Sequence, residues 1–395
     1  MAHPHFLLLT KYFPPKVGGV PNYYENLLSF LKKTRATVIT EKYSNQDCSD
    51  FKDEVFPHKI IRENYIPDNI QLQASLDWIR SLMKLVIRII KTVYSDRIDF
   101  IIVGQVQIYF LLAAYISKII TRKPYILFLH GEEIPQIYLK SNIIMKYLCI
   151  RACGSFCNSN FTSNRYKKFV QPHNVKPVII TPGVEDRYFN DPGSDALKRK
   201  MMMENKRIIL TIARLDERKG QDMVVKCMPL VLKKHPNAVY VIGGTGPCLE
   251  HLKSLVKEYS LEENVILLGF VPDADILSYF NMGEIFIMAN RILENGDSEG
   301  FGIVFLEANA MGKPVIGGDE GGSVDAIIDG LTGYLVNPRD EKDIASKICM
   351  LLSDHVLCNK IGQQGRERAS REYRWPSISH RFEESLINLY THLNG

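Results

Sequence analysis

Short apolar runs alternate with longer stretches of helical periodicity along the chain. An apolar run of about four to eight residues between polar or glycine positions is typical of a strand buried on both faces. Strands that alternate with helices, here predicted near residues 22–32, 222–233 and 249–259, indicate parallel sheets covered by helices on both faces. The predicted strands cover residues 6–9, 36–40, 99–103, 125–129, 156–158, 178–181, 208–212, 239–242, 265–268, 285–288 and 314–316.

The number of predicted strands is large for one sheet, so the predicted fold class is α/β with two Rossmann-like doubly wound domains. Pro, Gly and Asp cluster over residues 182–194 and mark the boundary, which gives domains at 1–185 and 186–376. A last helix at 377–395 follows, and the sequence leaves open which domain it packs on. Ligands of this fold bind beyond the carboxyl ends of the strands, so candidate chemistry lies in the loops that follow them.

The composition of the 395 residues is that of an ordinary globular protein, with 46% hydrophobic and 24% charged residues. It excludes a disordered, collagenous or low-complexity chain. The net charge of +5 conceals an asymmetry, because residues 1–190 carry 25 Lys and Arg against 15 Asp and Glu, whereas the remainder carries 24 against 29. The basic half predicts an anionic partner, and no motif indicates nucleic acid.

The eight cysteines include no CxxC pair and no Cys/His cluster with zinc spacing. Cys149, Cys153 and Cys157 are spaced by four, but a glycine interrupts the helix that would stack them, so we expect buried reduced thiols. The charge-free stretch 100–117 contains a glycine and two glutamines and predicts a buried strand and helix, not a membrane span. Residues 6–10 are too short for a signal peptide, and we expect a cytoplasmic protein.

Two glycine-rich loops follow predicted strands. Gly18 and Gly19 come after the first strand, and Gly244 and Gly246 come after the strand at 239–242. Paired glycines let backbone N–H groups approach an anion at a helix N-terminus, although a plain turn is the alternative. Neither loop has the GxGxxG spacing and the chain has no GxxxxGK[ST], which disfavours a nicotinamide dehydrogenase and a P-loop NTPase.

Two cations lie just past the predicted strand at 208–212. Arg214 offers a planar fork of donors and Lys219 a point charge, a combination that suits a diphosphate. A solvated basic loop is the alternative interpretation.

Glu299 and Glu307 form the sharpest signal, because they flank an otherwise apolar and glycine-rich segment. Gly300 and Gly302 predict a loop, with a helix starting near Ile303 beside Glu299. Carboxylates accept paired hydroxyl donors, so sugars are natural ligands. The alternative is a helix cap at Glu299 and a surface position for Glu307.

His130 ends the predicted strand at 125–129 and either meets a ligand or is structural. Asp273 and Asp275 form a DxD pattern, which some sugar transferases use to hold a metal. We interpret it as the N-cap of the helix that follows and predict no metal site.

Together these loops resemble the family-4 retaining glycosyltransferases, whose GT-B fold has two Rossmann-like domains facing a cleft. The chain is most similar to the phosphatidylinositol-mannoside mannosyltransferases and related bacterial surface-glycan glycosyltransferases. The Glu-x7-Glu pair with upstream Arg and Lys is specific, whereas a glycine pair alone is not. The motifs span nearly the whole chain: Phe13-Pro14-Pro15…Gly18-Gly19-Val20, His130-Gly131, Thr181-Pro182-Gly183-Val184, Arg214…Arg218-Lys219-Gly220-Gln221-Asp222, Gly244-Thr245-Gly246-Pro247 and Glu299-x7-Glu307.

The resemblance implies a role for each matching position. Arg214 and Lys219 would neutralise the departing diphosphate, to which Gly18 and Gly19 would offer backbone N–H groups. Glu307 would hold the ribose hydroxyls. The implied catalytic set is His130, Glu299, Arg214 and Lys219, with His130 on the transferred sugar and Glu299 on the donor-sugar hydroxyls. Further donor contacts are implied for Gly244, Gly246, Val271 in the loop beside the base, Phe301, Gly302 and Ile303.

One segment departs from the family pattern. Where the family often has Gly-Gly-x-x-Glu, this chain has Gly321-Gly322 followed by Ser323-Val324-Asp325, so no role is carried over to Asp325.

The implied function is a retaining transfer of a hexose from GDP-mannose or a UDP-hexose to a glycan or lipid-linked acceptor. The pathway would be the synthesis of cell-surface polysaccharide or glycolipid. Attack would be front-face, and neither a metal nor another cofactor would be needed because the protein supplies the cations. The N-terminal domain would bind the acceptor and the C-terminal domain the nucleotide sugar. The alternatives are a non-catalytic nucleotide-sugar-binding or scaffold protein of the same fold, and a phosphorylase with a pyridoxal-type lysine.

The segment 80–91 predicts a basic amphipathic helix that would place the N-terminal half on an anionic membrane surface. The protein would then lie at the inner face of the membrane. A core helix with ordinary charges outside is the alternative.

Overall fold

The computed structural model describes residues 3–16, 18–42, 51–67, 75–131, 133–134, 143–170, 177–190, 193 and 195–394. The chain divides into two compact units, Gly183–Arg374 and a unit that joins Met1–Pro182 to Trp375–Gly395. The divisions lie three and two residues before those drawn from the sequence at 185 and 376. The last helix, Trp375–Asn394, belongs to the N-terminal unit, which answers the question that the sequence left open.

The N-terminal unit is built on one parallel sheet of order β3-β2-β1-β4-β5-β6-β7, in which Leu8 pairs with Val38 on one side and Ile102 on the other. Its strands are β1 (His5–Leu9), β2 (Arg35–Glu41), β3 (Lys59–Glu63), β4 (Phe100–Val103), β5 (Tyr125–Leu129), β6 (Gly154–Cys157) and β7 (Val178–Ile179). Its helices are α1 (Gly19–Ser29), α2 (Leu76–Ser95), α3 (Ile108–Thr121), α4 (Ile143–Ile150) and α5 (Asn160–Val170).

The C-terminal unit repeats this architecture, with the parallel order β10-β9-β8-β11-β12-β13. Its strands are β8 (Arg207–Ile212), β9 (Ala238–Gly243), β10 (Val265–Gly269), β11 (Ile285–Met288), β12 (Val315–Gly318) and β13 (Gly333–Val336). Its helices are α6 (Asp195–Lys200), α7 (Gln221–Leu232), α8 (Leu249–Glu258), α9 (Asp273–Met282), α10 (Ile303–Ala310), α11 (Ser323–Ala326), α12 (Glu341–Ser353) and α13 (His355–Glu372), besides 3-10 turns at Asp186–Phe189 and Glu217–Lys219. The predicted α/β class with two doubly wound sheets is confirmed.

The order of strands reverses once in each sheet. The chain first moves outward from β1 and from β8, and then returns to the other side of the same strand with β4 and β11. Loops that leave such neighbouring strands in opposite directions open a crevice at the carboxyl edge. The loops after β1 and β4, and those after β8 and β11, are therefore the places where each unit can hold a ligand.

Each sheet also contains a strand that the sequence pattern missed. Strand β3 is only half-buried and carries charged residues at both ends, and β13 is four residues long between turn residues. Both are edge strands, where one-sided burial weakens the apolar signal.

The last helix, α14 (Trp375–Asn394), is fixed to the N-terminal unit by packing and by one carboxylate. Phe382 meets Phe6 with ring centroids 5.8 Å apart. The Glu383 carboxylate, which is buried, accepts hydrogen bonds from the backbone N–H groups of Lys32, Lys33 and Thr34 at 3.0, 2.5 and 2.6 Å. These donors lie just past α1, so Glu383 links the last helix to the segment that follows the first helix.

The segments that the sequence assigned to the core lie there. Residues of the 100–117 stretch form β4 and the start of α3, and Cys149 and Cys157 are buried on either side of the break between α4 and β6. Burial raises the pKa of both thiols, which keeps them protonated. Within the described ranges, no helix combines the length and apolarity needed to cross a membrane.

Candidate functional site

The reversal point of the C-terminal sheet brings three charged side chains together. Lys219 and Arg218 come from the loop after β8, and Glu299 comes from the loop after β11. One carboxylate oxygen of Glu299 accepts from the ammonium group of Lys219 and, at 2.9 Å, from Nη1 of Arg218. The side chains of Lys219 and Glu299 are only 11% and 13% exposed. The structure therefore brings Lys219 and Glu299, to which the resemblance assigns contacts with one donor, into direct contact.

The two cations determine the ionisation of Glu299. Burial alone would raise the pKa of this carboxyl, but the attraction and hydrogen bonds of Lys219 and Arg218 outweigh it and hold the pKa at about 2. Glu299 is thus ionised at neutral pH. The alternative role as a helix cap is wrong, because Gly302 occupies the N-cap of α10 and, among the described residues, no side chain caps that end.

Backbone contacts hold the loops after β8 and β11 against each other. The N–H of Arg291 donates to the carbonyl of Arg218 at 2.9 Å, and the Arg291 guanidinium pairs with Asp222 at 3.0 Å. Gly220 adopts a φ of +71°, and a Cβ there would lie 1.9 Å from the carbonyl oxygen of Ala289. Only glycine permits this close approach at the end of β11.

A second glycine contact fixes the segment that carries Glu299. A Cβ on Gly322 would lie 2.2 Å from the carbonyl oxygen of Gly300, and the Gly322 N–H donates to the carbonyl of Glu299 at 2.7 Å. The glycine pair before Asp325 therefore supports the Glu299 loop through its backbone. This role does not depend on which acid follows.

Arg214 does not join Lys219. Its side chain is 70% exposed and pairs with Asp216 at 3.2 Å. The cation beside Lys219 is Arg218, a residue of the same motif for which the resemblance implies no role. The signal that could have identified Arg218 was its position next to Lys219 in the same short turn.

The predicted glycine loop after β9 packs on the backbone that carries Arg214. A Cβ on Gly244 would lie 1.9 Å from the carbonyl oxygen of Ala213, and one on Gly246 would lie 2.5 Å from that of Leu215. The Leu215 N–H donates to the carbonyl of Thr245 at 2.9 Å. These glycines are thus required for loop packing, whether or not they also approach a phosphate.

Glu307 lies half-buried one turn inside α10, in a different environment from Glu299. Burial raises its pKa to about 7, the nearby carboxylate of Glu185 adds to the rise, and a hydrogen bond from Tyr188 and the charge of Arg187 offset part of it. The alternative of an ordinary surface position is therefore wrong. The pKa values of the two carboxyls of one motif move in opposite directions because, among the described ion pairs, Glu299 is held by two cations and Glu307 by none.

Asp273 does not cap α9. The N-cap is Pro272 without a side-chain hydrogen bond, and the Asp273 carboxylate instead forms a bidentate pair with the Arg187 guanidinium, with one contact at 2.8 Å. The capping interpretation of the DxD pattern is wrong for this residue. Val271, two residues earlier, lies beside Gly243. A Cβ added at Gly243 would lie 2.7 Å from the side chain of Val271.

The remaining donor positions form the start of α10. Phe301 is buried, Gly302 has a φ of +88°, and Ile303 is the first helical residue. The backbone amide groups at the start of α10 come a few residues after Glu299 in the chain. They provide the partial positive charge expected at a helix N-terminus.

In the N-terminal unit, Gly18 and Gly19 stand at the start of α1, in the loop that leaves β1. His130 stands at the end of β5 and is buried. Its ring stacks on Phe128 with centroids 5.1 Å apart, and its Nε2 lies 2.7 Å from the hydroxyl oxygen of Tyr24. Burial lowers the pKa of His130 to about 3, so the imidazole is neutral at neutral pH.

Helix α2, which contains the whole of the predicted basic segment 80–91, has two apolar faces. One is buried, with Trp78, Leu85 and Ile89 in the core. The other exposes Ile79, Met83 and Ile87, each close to half accessible, between the exposed cations Arg80, Lys84, Arg88 and Lys91. The alternative of a core helix with only charges outside is therefore incomplete.

Known proteins similar to this chain include several glycosyltransferases. Residues 195–368 match the family Glycosyl transferases group 1. A GDP-mannose-dependent alpha-(1-6)-phosphatidylinositol monomannoside mannosyltransferase of Mycolicibacterium smegmatis is 27% identical over 389 residues, covering 96% of this chain and 97% of the relative. A GDP-mannose-dependent monoacylated alpha-(1-6)-phosphatidylinositol monomannoside mannosyltransferase of Corynebacterium glutamicum is 27% identical over 397 residues, covering 96% of this chain and 97% of the relative.

Two solved structures match the fold over nearly the whole chain. Sucrose-phosphate synthase of Thermosynechococcus elongatus has a TM-score of 0.80 at 20% identity, covering 98% of this chain and 100% of that one. HepE of Anabaena, solved in complex with UDP and glucose, has a TM-score of 0.76 at 19% identity and the same coverage. The protein therefore has the two-domain GT-B fold of these structures. It carries a glycosyltransferase group 1 domain over residues 195–368, which confirms the resemblance drawn from the sequence.

Proposed function

We propose that this protein is a retaining, metal-independent hexosyltransferase that uses GDP-mannose as donor and a lipid-linked or glycan acceptor. The observation that carries the proposal is the buried group of Lys219, Arg218 and Glu299 at the reversal point of the C-terminal sheet. The names of the mannosyltransferase relatives favour GDP-mannose over a UDP-hexose. A UDP-hexose remains the alternative donor, as in the HepE complex.

In this proposal, the bond between the anomeric carbon and the leaving phosphate oxygen breaks as the acceptor oxygen attacks from the same face. Attack from the same face retains the configuration of the anomeric carbon without a protein nucleophile. The acceptor proton passes to the leaving phosphate, so no protein base is needed. Lys219 and the exposed Arg214 stabilise the charge that develops on the diphosphate, together with the amides at the start of α10. A bound metal would supply the same charge, so these cations make it dispensable.

Glu299 and Glu307 divide the recognition of the donor. Glu299, ionised and fixed by two cations, accepts hydrogen bonds from hydroxyls of the donor sugar. Glu307, with Tyr188 beside it, accepts hydrogen bonds from the ribose. His130 binds a hydroxyl of a sugar substrate through its neutral ring.

The donor and metal assignments are tested by a turnover assay. Purified protein is given GDP-mannose, UDP-glucose or UDP-GlcNAc with a phosphatidylinositol acceptor in excess EDTA, and the anomeric configuration of the product is read by NMR. We expect transfer from GDP-mannose with an α-linkage and no loss in EDTA. A strict requirement for added Mg²⁺ or Mn²⁺, or a β-linked product from this α-configured donor, would contradict the mechanism.

We further propose that the exposed face of α2 rests on an anionic membrane at the inner side of the cell. Ile79, Met83 and Ile87 would enter the interface, and Lys84 and Lys91 would each add about 1 kcal/mol of attraction to acidic lipid, whereas Arg80 and Arg88 already pair with Asp77 and Glu63. Helix α3 packs against both α2 and α4, and α4 exposes Ile143 and Ile144 as well. Exposed apolar residues therefore also occur on a second helix of this packed group.

Co-sedimentation with vesicles of phosphatidylglycerol and phosphatidylcholine tests this surface. We expect binding that Met83→Glu weakens strongly and that Val356→Glu, at an exposed position of α13, leaves unchanged. Absence of binding at low salt would refute the membrane proposal. A concentration-dependent dimer broken by Met83→Glu would assign the same face to self-association instead.

A further inference from the structure

The hydroxyl of Tyr24 connects two groups in the N-terminal unit. It lies 2.5 Å from the carbonyl oxygen of Gly104 and 2.7 Å from Nε2 of His130. A carbonyl oxygen can only accept, so the single Tyr24 proton must be donated to Gly104. The Tyr24 oxygen then has only lone pairs to offer to His130, and Nε2 must carry the proton of their hydrogen bond.

The protonation of the imidazole follows from this geometry. A neutral ring has one N–H, and with that proton on Nε2 the other nitrogen, Nδ1, is an acceptor. Within the described part of the chain, no group hydrogen-bonds to Nδ1 of His130. The burial that keeps the pKa of this ring far below neutrality agrees with a ring that holds one proton.

The position of the Tyr24 hydroxyl leaves little freedom. A Cβ on Gly104 would lie 2.8 Å from the Tyr24 oxygen, so a side chain at 104 would displace it. The His130 ring is held between Phe128, on which it stacks, and the edges of Tyr23 and Tyr24. Its main-chain carbonyl accepts from the side-chain amide of Asn158 at 2.7 Å.

We propose that Tyr24 is a positioning residue that holds His130 as the Nε2–H tautomer, so that Nδ1 accepts a hydrogen bond from a hydroxyl of the sugar substrate. This inference rests on the proposed function for the identity of the ligand, but not for the tautomer. The tautomer determines which group His130 can bind, because a lone pair at Nδ1 attracts an O–H group and repels a phosphate oxygen. His130 therefore recognises sugar, and it neither donates a proton nor neutralises the diphosphate.

The tautomer is measured first, in the protein without ligand. With histidine labelled with ¹⁵N in the ring, the two nitrogens give separate signals for protonated and lone-pair nitrogen, and His130→Gln identifies the signals of His130 among the ten histidines. We expect a protonated Nε2 and a lone-pair Nδ1, and a mixture of tautomers in Tyr24→Phe. A proton on Nδ1 in the wild type, or an unchanged tautomer in Tyr24→Phe, would overturn the role of Tyr24.

The matched control is Tyr23→Phe. Tyr23 also contacts the His130 ring edge-on, with centroids 5.1 Å apart, and its hydroxyl also donates to a buried carbonyl, that of Ile180, at 2.8 Å. It makes no bond to the imidazole, so its removal should leave the tautomer unchanged. A tautomer shift in Tyr23→Phe equal to that in Tyr24→Phe would reduce the effect to general packing and overturn the proposal.

The ligand is tested with GDP-mannose and GDP. GDP-mannose should move the Nδ1 signal towards that of a hydrogen-bonded acceptor, whereas GDP, which has the diphosphate but no sugar, should not. We expect Tyr24→Phe to lower kcat/KM about tenfold to a hundredfold and Tyr23→Phe less than about threefold. If GDP-mannose binds, as judged by thermal shift, and Nδ1 does not move, the hydroxyl contact is wrong. If GDP-mannose fails to bind at all, the proposed donor is wrong, and the tautomer is still decided by the spectrum without ligand.

Discussion

The ammonium group of Lys219 lies against the carboxylate of Glu299, although 80 positions separate the two residues in the chain. Both side chains are nearly buried, and Arg218 completes the group. A buried carboxylate between two cations is stable only while all partners are present, because loss of one leaves uncompensated charge. The same group is the centre of the proposed donor site, so stability and activity should depend on it together.

Replacing Glu299 with Ala should lower both activity and stability. The variant leaves Lys219 and Arg218 buried without their counter-ion, and removing one partner of such a group costs about 3–5 kcal/mol of unfolding free energy. Urea denaturation measures the loss, and transfer from GDP-mannose should fall by about a hundredfold or more.

An exposed ion pair supplies the comparison. Glu250 pairs with Lys253 at 2.8 Å but is 80% exposed, and Glu250→Ala should change stability by less than about 1 kcal/mol. Equal losses in Glu299→Ala and Glu250→Ala would show that burial of the Lys219–Glu299 pair has no energetic consequence.

Arg214 should separate activity from stability. Its side chain is exposed and pairs only with the neighbouring Asp216 among the described ion pairs, so Arg214→Ala should leave the unfolding transition unchanged. If the guanidinium stabilises the leaving diphosphate, kcat/KM should fall about tenfold to a hundredfold. The control is Arg371→Ala, an exposed arginine of α13 that pairs with Glu372 and should have no effect on turnover. Wild-type kinetics in Arg214→Ala would remove this residue from the diphosphate site.

The sequence predicted the elements of this protein better than the contacts among them. Apolar runs located β1, β8 and β11, because strands buried on both faces must be apolar throughout. The same reasoning placed Lys219 and Glu299 in loops at a carboxyl edge. It could not show that they pair, since pairing depends on how the loops after β8 and β11 pack through Gly220 and Arg291.

Long-range partners were invisible for the same reason. Tyr24 lies 106 positions from His130, and nothing in the local sequence connects them. Arg218, in contrast, was within reach of sequence reasoning, because it precedes Lys219. The second apolar face of α2 was also partly readable. The segment has apolar residues at more positions than one buried stripe requires.

Glu383 should stabilise the N-terminal unit without affecting donor chemistry directly. Glu383→Ala removes the acceptor of three backbone N–H groups after α1, of which that of Thr34 is buried, and an unsatisfied buried donor costs about 1–3 kcal/mol. We expect a large fall in the urea midpoint and faster proteolysis at the C-terminal helix. The neighbouring Glu384 is exposed and pairs with His380, so Glu384→Ala should behave like the wild type. An unchanged midpoint in Glu383→Ala would mean that another contact fixes the last helix.

The raised pKa of Glu307 predicts a pH-dependent stability with a definite sign. Burial holds the folded pKa at about 7, above the ordinary value of 4.5, so the folded state binds a proton that the unfolded state releases between these values. The wild type should therefore lose stability relative to Glu307→Gln as the pH rises through this window, by up to about 3 kcal/mol. Below this window the Glu307 carboxyl is protonated in both the folded and the unfolded state, and its contribution to the free energy of unfolding is fully present.

Urea denaturation of the wild type and Glu307→Gln at about pH 5 and about pH 8 measures this difference directly. Glu262→Gln, at an exposed position before β10, should show the same difference from wild type at both pH values. The Gln variant keeps the shape and burial of Glu307, so its packing effect is common to both conditions and cancels in the comparison. If the wild type instead gains stability relative to Glu307→Gln with rising pH, Glu307 is stabilised as the anion, and the cation that stabilises it would have to be closer to it than the carboxylate of Glu185.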